Sequence, residues 1–420
     1  MIQPARALKA RLALLSFMQF AVWGSYLSSL GNFLNAAGLG THIGWFYAVQ
    51  AVMALFMPAL MGLLADRRLA AQRVMALCHA VCTVFMGLAG LYALRAGSAP
   101  SFRPLFMLYA VAVAFFMPTV GLCNTIAFSA LRRAGLDTFA HFPAIRVFGT
   151  VGFICAMLTV NFAGFQADAR QLVLASALSA LTALYALTMP ECRVFRSPGL
   201  GLRSWLLRGG MPLFLGFCVL VGAGLQISNS YANPYISSFS RIPQYAHTWV
   251  AANANALISL SQISEAVCIL LIPAAVRRFG IKATILTAIA AWVLRFGLFA
   301  LGDTGPGVWM FVLSCVVYGV AFDFFNIAGS MYVDRLLPDR LRARGQGVFM
   351  SFSAGIGGTA GILCAQAVVN RLVFTQPAPG LRLEGWQMSW LVFAAYMLVV
   401  AVMFGLLFRD RTPRRLTPDR

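Results

Sequence analysis

Hydrophobic residues run through this chain in long blocks separated by short polar breaks. Twelve blocks stand near residues 12–37, 43–65, 72–95, 103–131, 144–166, 170–190, 211–238, 247–275, 281–301, 307–334, 344–370 and 386–408. A helix needs about 20 apolar residues to cross a hydrocarbon layer, and each block has them. None reads as a barrel strand, because the blocks exceed the roughly 9–11 residues of such a strand and lack its alternation. In hydrocarbon the backbone must bond to itself, so the blocks are predicted to be helices. The expected fold class is an all-α integral membrane protein of twelve transmembrane helices.

The polar breaks give the orientation. With the N-terminus inside, the inner connections carry 24 of the Lys and Arg residues, the outer ones carry 6, and Arg146 and Arg295 fall within spans. That bias predicts cytoplasmic N- and C-termini. The longest inner connection, 191–210, lies at mid-chain and holds four Arg with Pro198, Gly199, Gly201 and Gly209. It reads as a cytoplasmic linker between six-helix bundles over 1–190 and 211–408, with a cytoplasmic tail over 409–420. The basic turns at Asp66-Arg67-Arg68 and Arg277-Arg278, half a chain apart, suggest a duplicated transporter architecture.

Composition narrows the class. Of 420 residues, 60% are hydrophobic and 10% charged, with mean hydropathy +0.80; soluble domains carry roughly 25% charge. A soluble protein is excluded, and twelve spans leave no room for a sizeable extramembrane domain. The net charge of +20 would suggest nucleic acid in a soluble chain, but inner loops facing anionic lipid account for it, and no nucleic-acid partner is expected. Eight of the nine cysteines lie in hydrophobic blocks and Cys192 in a connection; all read as free thiols. The apolar stretch after Lys9 and Arg11 outruns the roughly 7–15 residues of a signal-peptide core and reads as the first span.

Signs of an enzyme are poor. His42, His79, His141 and His247 are scattered, and there is no Cys-x-x-Cys, His-Glu-x-x-His or Walker loop. No cofactor or metal site is expected. The run Gly355-Ile-Gly357-Gly358-Thr-Ala360-Gly361 looks like a dinucleotide fingerprint but lies inside a span with no strand before it, so it reads as close helix packing.

The residues least suited to a membrane are the most informative. Arg146, Glu265, Arg295 and Asp323 are ionisable and lie within spans, where charge is costly and usually functional. Two of each sign allow a competing structural reading as two buried salt bridges. Around them polar and aromatic residues recur at helical spacing. The stripes are Arg146, Thr150 and Phe153; Gln226 and Asn229; Gln262 and Glu265; Tyr318, Phe322, Asp323 and Asn326; and Gln19, Trp23 and Tyr26, with Asn124 after Pro118. Single carboxamides commonly bond helix to helix. Stripes from so many helices, beside charges, predict a central hydrophilic cavity.

Carboxamides, Arg donors, a carboxylate and aromatic faces suit a neutral, planar, hydroxylated solute, whose base edge pairs while its ring stacks on Phe153 or Phe322. A sugar would also fit these groups. A carboxyl in a poorly hydrated cavity can load and release a proton in each cycle, so Glu265 and Asp323 are the candidate coupling sites, with Arg295 or Arg146 approaching to release the proton. Sodium coupling uses similar ligands and stays open.

Eight strings in order carry a resemblance. Among them are Phe17-Met-Gln-Phe-Ala-Val-Trp23, Phe142-Pro-Ala-Ile-Arg146-Val-Phe-Gly-Thr150-Val-Gly-Phe153, Leu225-Gln226-Ile-Ser-Asn229, Ser261-Gln262-Ile-Ser-Glu265 and Tyr318-Gly-Val-Ala-Phe322-Asp323-Phe-Phe-Asn326. With them, residues 8–408 resemble the nucleoside:proton symporter family of the major facilitator superfamily. The resemblance implies two six-helix bundles, alternating access and proton-driven nucleoside import across a bacterial inner membrane, by a monomer in the lipid bilayer. It marks Arg146, Thr150, Phe153, Gln226, Asn229, Gln262, Glu265, Tyr318 and Phe322 as substrate contacts, and Glu265 and Asp323 as protonation sites. Gly224, two before Gln226, stands where the resemblance to the family's permease implies an acidic residue. The rival readings are a symporter of a sugar or oligosaccharide and a polytopic enzyme acting on lipid.

Overall fold

Long apolar runs with no water to bond their backbones close their hydrogen bonds internally, and the regular structure of the described residues is helical throughout. The computed structural model describes residues 5–67, 69–97, 99–192, 210–337 and 339–409. The linker expected over 191–210 and the tail expected over 409–420 fall almost wholly outside these residues.

The first six spans are α1 (Ala5–Gly24) with α2 (Leu30–Ala36), α3 (Ile43–Arg67), α4 (Ala71–Ala96), α5 (Phe102–Arg133), α6 (Thr138–Phe162) and α7 (Arg170–Leu187). Then come α8 (Met211–Ser238), a short α9 (Trp249–Ala252), α10 (Ala254–Leu301), α11 (Val308–Leu336), and a continuous span built of α12 (Asp339–Met350), a π-helical segment Ser351–Gly357, α13 (Gly358–Val369) and a second π-helical segment Asn370–Phe374. The last span is α14 (Pro379–Leu407).

Three boundaries differ from the expectation. The first span is interrupted: the Ser25 hydroxyl donates to the Val22 carbonyl at 2.7 Å and the Tyr47 hydroxyl to the Leu27 carbonyl at 2.5 Å. Such side-chain bonds compete with the helical ladder and loosen it into a turn. The eighth span starts at Ala254 rather than near 247, after Asn253 leaves helical geometry and its side chain bonds the Trp249 carbonyl at 2.8 Å. The eighth and ninth spans then run on as the two arms of α10, bent at Gly280, where φ is +81°. Among the described residues, ten helices are long and apolar enough to cross a membrane. The interrupted first span and the first arm of α10 complete the twelve.

Within the first six spans α1 packs on α6, α4 on α5 and α7, and α3 on α5; within the last six, α8 packs on the π-helical segment and α13, and α10 on α11 and α14. Two glycines let backbones touch. A Cβ on Gly152 would overlap the Phe17 carbonyl, and one on Gly357 the Val219 carbonyl, so α1 with α6 and α8 with the eleventh span approach more closely than side chains permit. The small-residue run at 355–361 therefore does pack helices. The bundles meet where α13 lies on α3 and α10 on α6.

Among the described residues, the hydrogen bonds between the first six and last six spans all sit at odd-to-even connections, the face opposite the chain ends. On one flank Asn161 donates to Asn253, Gln166 donates to the Ala252 carbonyl, and Asn233 and the backbone N–H groups of Asn255 and Ala256 donate back to Gln166 and Asn161. On the other, Gly44 N–H donates to Gln366, whose amide donates to the Gly40 carbonyl, and Asn370 donates to the Thr41 carbonyl. Asn32 donates to Ser237 between them. Every one of these bonds uses an Asn or Gln side chain, and this face of the central space is closed by them.

Candidate functional site

Side chains three or four residues apart share a helix face, and where four such faces converge the bundles enclose a cavity of about 230 Å³. Arg146, Thr150 and Phe153 reach it from α6, Gln226 and Asn229 from α8, Gln262 and Glu265 from the first arm of α10, and Tyr318 and Phe322 from α11. All nine residues singled out as substrate contacts line this one space. Ligand pockets for drug-sized molecules are roughly 300–1,000 Å³, so the room suits one small solute and disfavours an oligosaccharide.

The other stripe residues fare differently. Trp23 lines the cavity, but Gln19 is turned away to bond Thr119 and His79, each at 2.8 Å. Tyr26 packs edge-on against Tyr109 and Phe116, and Asn326 donates to the Phe322 carbonyl at 2.9 Å. Asn124 is also outside the lining. Sequence reasoning missed Phe20, Gln50, Met117, Ser228 and Ser261 in the wall. Gln50, a lone carboxamide in an apolar span, could have been noticed; the small serines and the aromatic carry no polar signal of their own.

The four buried charges do not pair. Neither Glu265 nor Asp323 makes an ion pair or hydrogen bond with a described residue, so the two-salt-bridge reading fails. Glu265 lies in the wall within electrostatic reach of Arg146. Asp323, 4% exposed, sits behind the lining with Oδ2 unpartnered. Among the described residues Arg146 has no hydrogen-bond partner; its guanidinium stacks 3.9 Å over the Phe20 ring at the cavity wall. Arg295 is held instead, by Ser228, Ser261 and the Ser314 carbonyl, so of the two cations expected to approach a carboxyl only Arg146 is placed to do so. The Trp23 Nε1 atom is buried with no partner among the described residues. At least among the described residues, no group of three His, Cys, Asp or Glu side chains could hold a metal, and all nine cysteines are free thiols.

A family described as nucleoside H+ symporters matches residues 6–413. The chain belongs to that family. It is therefore a secondary transporter, not an enzyme. Among relatives of this symporter, the nucleoside permease NupG of Escherichia coli (strain K12) is 39% identical over 421 residues, 97% of each chain. The xanthosine permease of the same organism is 38% identical over 411 residues, 95% of each. The crystal structure of the nucleoside transporter NupG superposes with a TM-score of 0.86 at 38% identity, covering 95% of this chain and 98% of that one. The symporter has the major facilitator fold, twelve helices in two six-helix bundles. At Gly224 the neighbouring space is taken by Trp292, whose ring would meet a Cβ there at 3.1 Å. That indole also stands edge-on to the cavity's Tyr318 at 5.9 Å.

Proposed function

We propose that this symporter imports nucleosides into the bacterial cytoplasm across the inner membrane, as a monomer with both termini inside, by alternating movement of bundles 1–190 and 211–408 about the central cavity. The observation that carries the reading is Glu265, a carboxyl in the cavity wall with no ion-pair partner, facing Arg146 among carboxamides and aromatic rings. The base stacks between Phe153 and the Tyr318–Phe322 pair, whose rings are near parallel at 11° and 5.8 Å apart. Gln226, Asn229 and Gln262 offer both donors and acceptors to base and sugar. Arg146 and Thr150 close the opposite side.

Coupling rests on Glu265, with Asp323 behind it. A protonated Glu265 carries no charge, so the loaded cavity is occluded without burying an unpaired carboxylate. Arg146 swinging from Phe20 to Glu265 exchanges that proton for an ion pair and resets the site. With the face opposite the termini closed, the cavity described here is the inward-facing stage of the cycle.

Uptake of labelled uridine or adenosine into cells lacking nucleoside transport tests the reading. Accumulation should collapse with a protonophore, and excess sugar should not compete. Glu265→Gln should abolish accumulation while leaving nucleoside exchange. Uptake indifferent to the protonophore removes proton coupling, and uptake of no nucleoside removes the substrate class.

A further inference from the structure

Arg295 is a buried cation without an ion-pair partner among the described residues. A guanidinium stays charged at any pH a cell meets and is costly to bury without a counter-ion. Yet Arg295 is 1% exposed and makes no ion pair with a described residue. A neutral side chain could bridge the same helices at less cost. What the charge does can be read from where its bonds go.

The fork of Arg295, on the second arm of α10, spreads over three other helix segments. Nε and Nη2 both donate to the Ser228 hydroxyl on α8, at 3.1 and 2.8 Å. Nη1 donates to the Ser314 carbonyl on α11 at 2.6 Å and reaches the Ser261 hydroxyl on the first arm of α10 at 3.5 Å. The Ser314 hydroxyl returns a bond to the Arg295 carbonyl at 3.1 Å. Arg295, Ser228 and Ser261 themselves reach the cavity wall, where Ser228 adjoins Asn229 and Ser261 adjoins Gln262, and Ser314 precedes Tyr318 by four. The cation also lies 4.7 Å over the Tyr318 ring and 5.0 Å over that of Phe299. Tyr318 in turn stacks on Phe322. One planar charge thus sets the spacing of the polar wall and backs the aromatic platform with a cation–π contact, which is stronger in a dry site.

We infer that Arg295 is a positioning residue for substrate: it fixes Tyr318 and, through Ser228 and Ser261, the carboxamides of α8 and α10 at the spacing a nucleoside requires. This inference rests on the nucleoside reading given above. Lysine keeps the charge but presents a compact ammonium that cannot span Ser228 and Ser314 as the fork does.

The test is nucleoside affinity against stability in purified protein. Arg295→Lys should bind uridine about tenfold more weakly and Arg295→Gln weaker still, with the melting temperature of the Lys variant close to wild type. Tyr318→Phe should weaken wild type severalfold yet add little in the Arg295→Gln background, because a misplaced hydroxyl has little left to lose. A merely structural tie would lower the melting temperature and leave the affinity of the folded fraction unchanged, which overturns the inference. If neither variant folds, Ser228→Ala removes the hydroxyl that accepts from both Nε and Nη2 while leaving the guanidinium itself in place; weaker binding at an unchanged melting temperature supports the inference and unaltered binding sinks it. Wild type that binds no nucleoside overturns the functional reading and this inference together, whereas wild-type binding with indifferent variants overturns the inference alone.

Discussion

Each bundle is pinned by one buried basic side chain, and the two pins are built in opposite ways. In the first six spans His79 of α4 bonds Ser179 of α7 through Nδ1 at 2.9 Å and Gln19 of α1 through Nε2 at 2.8 Å, and Gln19 passes the chain to Thr119 of α5. Four helices are joined by groups that carry no formal charge when the ring is neutral, and none of the four residues lines the cavity. In the last six spans the corresponding hub is Arg295, which keeps its charge, and two of its partners, Ser228 and Ser261, are cavity wall. The cheaper solution stands where only helix packing is at stake. The costlier one stands where solute passes. The movable cation, Arg146, belongs to the bundle pinned by the uncharged network, so one wall holds its shape while the opposite wall offers a side chain that can move.

Removing the histidine gives the largest expected effect. His79→Ala leaves a void and strands Gln19 and Ser179 in the bundle, at a cost of about 2–4 kcal/mol. The melting temperature in detergent should fall well below wild type while the uridine KM of the surviving protein stays within about twofold. A raised KM at an unchanged melting temperature would place His79 in the transport machinery and erase the contrast.

Arg146→Ala should do the reverse. A charged hydrogen bond to substrate or carboxylate is worth about 1.5–3 kcal/mol, so transport efficiency should drop roughly 10–150-fold. Because Arg146 stacks on Phe20 without a hydrogen-bond partner among the described residues, the melting temperature should barely change. If instead it falls as far as for His79→Ala, Arg146 is structural and the division of labour between the walls is wrong.

These differences mark the limit of what the sequence discloses. Hydropathy located the spans, because crossing a membrane is a demand on composition that each segment meets alone, and helical spacing gave polar stripes from which the family resemblance marked the nine side chains that line one cavity. The turn at Ser25–Ser29 depends on Tyr47 from a neighbouring helix, and the bend at Gly280 on a backbone φ that a lone glycine does not announce. The four buried charges could be counted but not paired: that Arg295 would spend its donors on serines and a carbonyl, rather than on Glu265 or Asp323, is decided by which helix faces meet. Gln19 illustrates the same point. It sits on a polar stripe with Trp23, yet the His79 ring on α4 captures it and only Trp23 reaches the cavity.

The smallest effect concerns the closed face, where the two flanks of carboxamides either open together or separately. The first N–H groups of a helix lack an intrahelical acceptor, so the Gly44 amide at the start of α3 depends on Gln366 for protection. Gln166, on the opposite flank, holds Ala252, Asn233 and Asn255. Gln166→Ala removes those bonds without touching Gly44. Water replaces much of what is lost, leaving a net change of about 1 kcal/mol. If outward opening is one rigid-body movement of the bundles, hydrogen exchange at Gly44 should quicken by roughly fivefold although the substitution is on the other flank. Exchange that quickens only at Asn255, with Gly44 unchanged, would mean the flanks fray independently, and closure by two separate latches would replace closure by one.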